Sequence, residues 1–197
     1  MVIIMKDYPT LPEGYNKYAS VDLNSDKKAA IIVNGLAVLI MVIMALAGQV
    51  AHDFFTLFDS DDYMMMLVKL IVLSVSILAY VILHELVHGV VMYYFSRVKP
   101  HFGYKGLYAY AGSTAYFCRK HYIIIALAPI VVWGIVLSVL MAVVPSDWFW
   151  IVYFIQITNI SGAAGDMYVS VLFTKYPEDI LVNDTGTAMT VYSKTGK

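Results

Sequence analysis

His84-Glu85-Leu86-Val87-His88 sets two imidazoles four residues apart, with a carboxylate beside the first. On a helix, residues at i and i+4 share one face, so both rings reach a single ion. Glu85 projects about 100° from His84 and approaches a water on that ion without being a ligand itself. With so few His and Glu among 197 residues, chance produces this spacing in roughly two such chains per thousand. The competing structural reading is a pair of buried histidines bonded to neighbouring helices. It leaves all three polar groups needing partners in an apolar setting.

That setting follows from composition. Hydrophobic residues make up 60% of the chain, charged residues 14%, and the mean hydropathy is +0.73. A soluble domain carries nearer a quarter charged residues, and disorder needs low hydrophobicity with high charge. A net charge of −1 offers no basic surface, so no nucleic-acid partner is expected. The single cysteine, Cys118, closes no intrachain disulfide, and an interfacial thiol beside Arg119 reads more simply as inert than as lipidated or zinc-binding. These features describe an integral membrane protein whose main partner is the lipid bilayer.

Four segments are long and apolar enough to cross about 30 Å of hydrocarbon: roughly residues 29–51, 64–95, 122–144 and 148–173. The expected fold is an all-α integral membrane protein of four transmembrane helices. Its organisation reads as a cytoplasmic N-terminal segment (1–28), a four-helix transmembrane domain (29–174) and a cytoplasmic tail (175–197). The loop after the first helix holds Asp53, Asp59, Asp61 and Asp62 without Lys or Arg. The loop after the second holds Arg97, Lys99, Lys105, Arg119 and Lys120 without an acid. By the positive-inside rule both termini lie on the cytoplasmic side of a multi-pass cell membrane protein. Lys69 is expected to snorkel, and Trp148 and Trp150 to join an interfacial belt. The glycine-punctuated, aromatic cytoplasmic loop 101–112 suits a short β-hairpin. The tail, interrupted by Pro177 and Gly186, shows no regular pattern.

Only Glu85 and Asp166 among the carboxylates fall well inside an expected span, where an uncompensated charge costs several kcal/mol. His88 and Asp166 each lie seven residues before the cytoplasmic end of their segments, so both sit roughly 10 Å below the same membrane face. A zinc ligand set of His84, His88 and Asp166 is therefore geometrically available. Ser161-Gly162-Ala163-Ala164-Gly165 lets the fourth helix approach a neighbour closely, and Gly89 offers a matching gap. The bland alternative is a packing face, with Asp166 paired to Lys175. Asn159 and Gln156 lie one helical turn apart; Asn159 is a candidate substrate-binding residue, and interhelical hydrogen bonding explains it equally well. His101 and His121 read as solvated, and Pro129 as a kink.

HELVH in a membrane helix, the basic loop, Tyr-Ile-Ile-Ile-Ala-Leu-Ala-Pro129 opening the next helix and Gly165-Asp166 in the last together resemble a family of small bacterial membrane proteins, the putative zincin peptidases. That family is related in layout to the site-2 intramembrane proteases. The resemblance spans roughly residues 80 to 175. It implies that His84, His88 and Asp166 bind Zn2+ and that Glu85 is the catalytic residue activating water. The chain departs from the site-2 pattern in having Asn159 without prolines and Gly-Asp-Met in place of Leu-Asp-Gly. The expected function is an intramembrane zinc metalloprotease acting on transmembrane or membrane-associated peptide substrates, with homo-oligomerisation left open. The alternative is a non-enzymatic membrane metal-binding or transport protein using the same ligands, though the outer halves of the helices offer almost no further ionisable groups to carry an ion across.

Overall fold

The computed structural model describes residues 6–22, 25–57, 63–106 and 108–195. Asp59, Asp61 and Asp62 of the acidic loop lie outside the described residues. The elements run β1 (Asn16–Val21), α1 (Lys27–Ala51), α2 (Tyr63–Ser96), β2 (His101–Lys105), β3 (Tyr108–Gly112), β4 (Phe117–Cys118), α3 (Arg119–Val143), α4 (Phe149–Gly162), α5 (Ala164–Thr174), β5 (Leu181–Asp184) and β6 (Met189–Ser193). The protein is mostly helical, and α1, α2 and α3 are long and apolar enough to cross a membrane. They mark a membrane protein. The segment expected as a fourth span is divided at Ala163 into helices of 14 and 11 residues. Gly162, the weakest helix former in the run, stands where the first of them stops.

Local chemistry fixes several helix ends. Asp26 Oδ1 accepts the backbone N–H groups of Lys28 and Ala29 at 2.9 and 3.2 Å, capping the start of α1. Helix α2 ends on Arg97 in the left-handed conformation (φ 58°), with its N–H on the Tyr93 carbonyl. Pro100 follows and prevents resumption.

The chain divides into two compact units. The first comprises residues 1–31, 84–129 and 165–197; the second comprises 32–83 and 130–164. All six strands found among the described residues belong to the first unit, which corrects the all-α expectation. The expected hairpin is present as β2–β3, running from His101↔Gly112 to Lys105↔Tyr108. A four-stranded antiparallel sheet of order β1-β6-β5-β4 was not anticipated. It pairs Asn16 with Ser193 and Val21 with Met189, joining segments from the two ends of the sequence. Phe117, Val182 and Val191 from the sheet pack with Met92 of α2, Ile125 of α3 and Phe173 of α5 in one buried core.

Among its described residues, the second unit contains only helical elements. Leu57, Trp150 and Ile151 form its core, surrounded by Phe54, Phe149 and Phe154. Trp150 is only 2% exposed and donates Nε1–H to the Asp53 carbonyl at 3.0 Å, so it is a core residue rather than part of an interfacial belt. Lys69 is likewise buried rather than snorkelling. Ile31 lies at the end of the first unit, and Val38, Leu46 and Val50 of α1 lie in the second; all four are exposed. Such a surface is unfavourable in water and natural against lipid tails.

Candidate metal centre

His84, Glu85, His88 and Asp166 all belong to the first unit. Helix α2 supplies the first three and α5 the fourth. His88 and Asp166 each lie eight residues before the last residue of their helix. His84 Nε2 stands 3.5 Å from Asp166 Oδ2, and His88 Nε2 stands 3.7 Å from Asp166 Oδ1. Neighbouring ligand atoms on tetrahedral zinc, with bonds of 2.0–2.2 Å, are separated by roughly 3.3 Å. The two imidazole–carboxylate distances approach that separation, each to a different oxygen of Asp166, and one donor atom each of His84, Glu85 and His88 lies within 4.8 Å of the other two; nitrogen and oxygen donors of this kind suit zinc. Asp166 stands against the two imidazoles, and no ion pair with Lys175 is found among the described residues.

The ring of His88 is fixed by an interaction with a local cause. Its Nδ1 donates to the Ile125 carbonyl at 2.9 Å. That carbonyl would ordinarily accept the N–H of residue 129 in the α3 ladder, but residue 129 is proline and has none. Pro129 thus leaves Ile125 O available. Because a carbonyl only accepts, the proton is on Nδ1, and the Nε2 lone pair is left toward Asp166. Pro129 was legible as a kink; its effect on His88 required the tertiary contact.

Glu85 is held from the other side. Its Oε2 accepts the Ala111 N–H of strand β3 at 2.8 Å, and one of its carboxylate oxygens lies within 4.8 Å of a ring nitrogen of His84 and of one of His88. The hairpin reaches α2 through Gly89, where an added Cβ would come within 2.4 Å of the Phe102 ring. The gap at Gly89 is therefore filled by the hairpin. Beyond Ala111, the N–H of Ser113 bonds to the Asp184 carbonyl at 2.8 Å. The Asp184 carboxyl receives the Tyr122 hydroxyl and, at 2.7 Å, the N–H of Gly186. Burial raises the Asp184 carboxyl above the usual aspartate range. The tail strands thus brace the hairpin that touches Glu85, a link with no signal in the sequence.

Asn159 belongs to the second unit. It is fully buried, accepts from Tyr80 Oη at 2.9 Å, and donates to the Ile130 carbonyl and Gln156 Oε1, each at 3.3 Å. Tyr80 and Ile130 lie on other helices, and Gln156 lies one turn earlier on its own. His101 lies at the base of the hairpin and His121 in the first turn of α3.

A family model described as "putative zincin peptidase" matches residues 77–181. The chain belongs to that family. The match bears out the resemblance read over residues 80 to 175 and includes the motif, the hairpin, Pro129 and Asp166. Membership in the zincin peptidases supports a zinc-dependent peptidase in general terms. Neither a curated protein nor a solved structure matches the chain.

Proposed function

We propose that the protein is an intramembrane zinc metalloprotease, with His84, His88 and Asp166 as metal ligands and Glu85 as the general base. The observation that carries this reading is the convergence of both Nε2 atoms on the Asp166 carboxylate, with the Glu85 carboxylate alongside. The chemistry a bound zinc supplies is Lewis acidity toward a peptide carbonyl and a water acidified to a pKa of about 7. Glu85 takes the proton of the attacking water and hands it to the departing amine. The Ala111 N–H holds Oε2, so Glu85 presents its carboxylate in one orientation. His88, anchored through Ile125, would present its Nε2 lone pair to a bound zinc.

The substrate class is a transmembrane or membrane-associated polypeptide. A helical substrate unwinds before cleavage because its carbonyls are already hydrogen-bonded, and the unwound stretch adds to the β2–β3 hairpin as a further strand. In this reading the α4–α5 segment completes a fourth span, and both termini face the cytoplasm of a bacterial cell.

Glu85→Gln tests the assignment. It preserves side-chain size and removes the ability to accept a proton. Wild type and variant, in detergent or liposomes, are to be compared on single-span membrane peptides. The variant is expected to retain zinc while hydrolysis falls by 10²–10⁴, the usual contribution of a positioned base. Equal cleavage by both proteins would overturn the role of Glu85. Zinc flux without cleavage by wild type would favour a metal carrier.

A further inference from the structure

A second group of metal-ligating side chains lies in the first unit, composed of Asp7, Cys118 and His121. It shares no residue with the centre just described. Asp7 precedes the pairing of Tyr8 with Tyr116, whose backbones exchange hydrogen bonds of 2.9 and 2.8 Å. Cys118 ends β4, and His121 lies three residues later in the first turn of α3. One donor atom from each residue lies within 4.8 Å of the other two. Asp7 Oδ1 accepts the Cys118 N–H at 2.8 Å, and Oδ2 meets His121 Nδ1 at 2.6 Å. The His121 ring stacks on Phe95, with centroids 4.1 Å apart and planes 8° from parallel, so its nitrogens have a defined direction.

We propose that Asp7, Cys118 and His121 form a second cation site, for a borderline-soft divalent ion of the zinc class, that pins the N-terminal segment to the start of α3. The donor set is one thiolate, one imidazole and one carboxylate, the mixture that favours zinc over magnesium or calcium. Cys118 and His121 stand at a Cys-x-x-His spacing across the strand-to-helix junction, so the backbone brings both to one side. Cys118 is buried and the Asp7 side chain is 5% exposed. Besides its bonds to the Cys118 N–H and His121 Nδ1, a buried carboxylate of this kind is stabilised by a positive charge, which a bound cation would supply. When the ion binds, the thiol proton leaves to solvent and the His121 proton moves from Nδ1 to Nε2. Sulfur, nitrogen and carboxylate oxygen then each offer a lone pair. Solvent supplies the fourth position, since the His121 side chain is 25% exposed. The family match begins at residue 77, so Asp7 lies outside it. The competing account is a helix-start cluster in which Asp7 merely caps α3 and bonds His121.

Cobalt(II) separates the two accounts. Cys118 is the single cysteine of the chain, so a near-ultraviolet thiolate-to-cobalt charge-transfer band can originate only there. Full-length protein in detergent is to be titrated with Co2+ under reducing conditions. The expected result is two cobalt ions per chain and a thiolate band that saturates with one of them. Cys118→Ser should lose the band and one ion. Asp7→Asn and His121→Gln, each removing one ligand, should weaken the cobalt affinity read from that band by about tenfold or more. No thiolate band in wild type at saturating cobalt would overturn the proposal. So would a band whose affinity is unchanged in both Asp7→Asn and His121→Gln.

Discussion

His88 is anchored at Nδ1 by the Ile125 carbonyl at 2.9 Å, and its Nε2 stands 3.7 Å from Asp166. If His84, His88 and Asp166 are the ligands, removing any one leaves the ion with two protein donors. His88→Ala and Asp166→Ala should therefore each lose most of the bound zinc, because two protein ligands do not retain it tightly. Elemental analysis of the purified variants checks this. Unchanged metal content in Asp166→Ala would make it a packing residue and move the third ligand elsewhere. The local part of this site was legible because HELVH is short-range: helical geometry alone sets His84, Glu85 and His88 in register. Asp166 was legible through depth, since equal distances from two helix ends bring it level with His88. The Ala111 N–H on Glu85 was not legible. Nothing in a backbone amide's sequence position says which carboxylate it will meet. Asn159 shows the converse: an amide in a membrane helix suggests substrate binding and packing alike, and only its partners Tyr80, Ile130 and Gln156 reveal the bonds it makes.

Among the elements, α3 shows how one residue type positions another helix's side chain. Pro129 removes the N–H that would occupy Ile125 O, and His88 takes that place. Pro129→Ala restores the N–H, which then competes with His88 for the carbonyl. Alanine is well tolerated in a helix, so the fold should survive while the imidazole loses its anchor. Zinc affinity, measured by competition with a chelating indicator, should fall about 10–100-fold, the usual effect of losing the partner that orients a ligating histidine. Unchanged affinity would mean that packing alone orients the ring. The β2–β3 hairpin was legible from its glycines and aromatics, and Gly106, at φ +66°, lies at its turn. Strands β5 and β6 were not. Pro177 and Gly186 interrupt the tail, and they mark the approach to a strand and a turn that read alone as disorder of pattern. Gly186 occupies φ +79° between β5 and β6, with no room for a Cβ beside the Tyr110 ring. The pairing of β1 with β6 spans nearly the whole chain, and such long-range partners leave no local periodicity to read.

At the scale of the whole molecule, apolar composition and charge asymmetry predict a topology. Cysteines placed at Lys105 and at Asp147, in a Cys118→Ser background, should be labelled from opposite sides of the membrane. Labelling from one side would overturn the orientation. The sheet of the first unit makes a different prediction, through Asp179. Its carboxylate accepts the N–H groups of Lys194 and Thr195 at 2.7 and 3.3 Å, and the hydroxyls of Ser193 and Thr195 at 2.9 to 3.1 Å. Burial raises its pKa and these donors lower it, and the net position is below the ordinary aspartate value. A carboxylate with a depressed folded pKa adds stability that is complete above its unfolded value of about 3.9. That contribution is lost as pH falls through the lower folded value. The far end of β6, and with it the pairing to β1, should therefore loosen on acidification below about pH 4. Amide exchange at Val191 and Tyr192, corrected for the intrinsic effect of pH, reads this directly. Asp179→Asn cannot carry the charge and should lose protection already at neutral pH, with a flatter acid dependence. If wild type and Asp179→Asn follow the same curve, the clasp contributes nothing and the strand is held by its ladder alone.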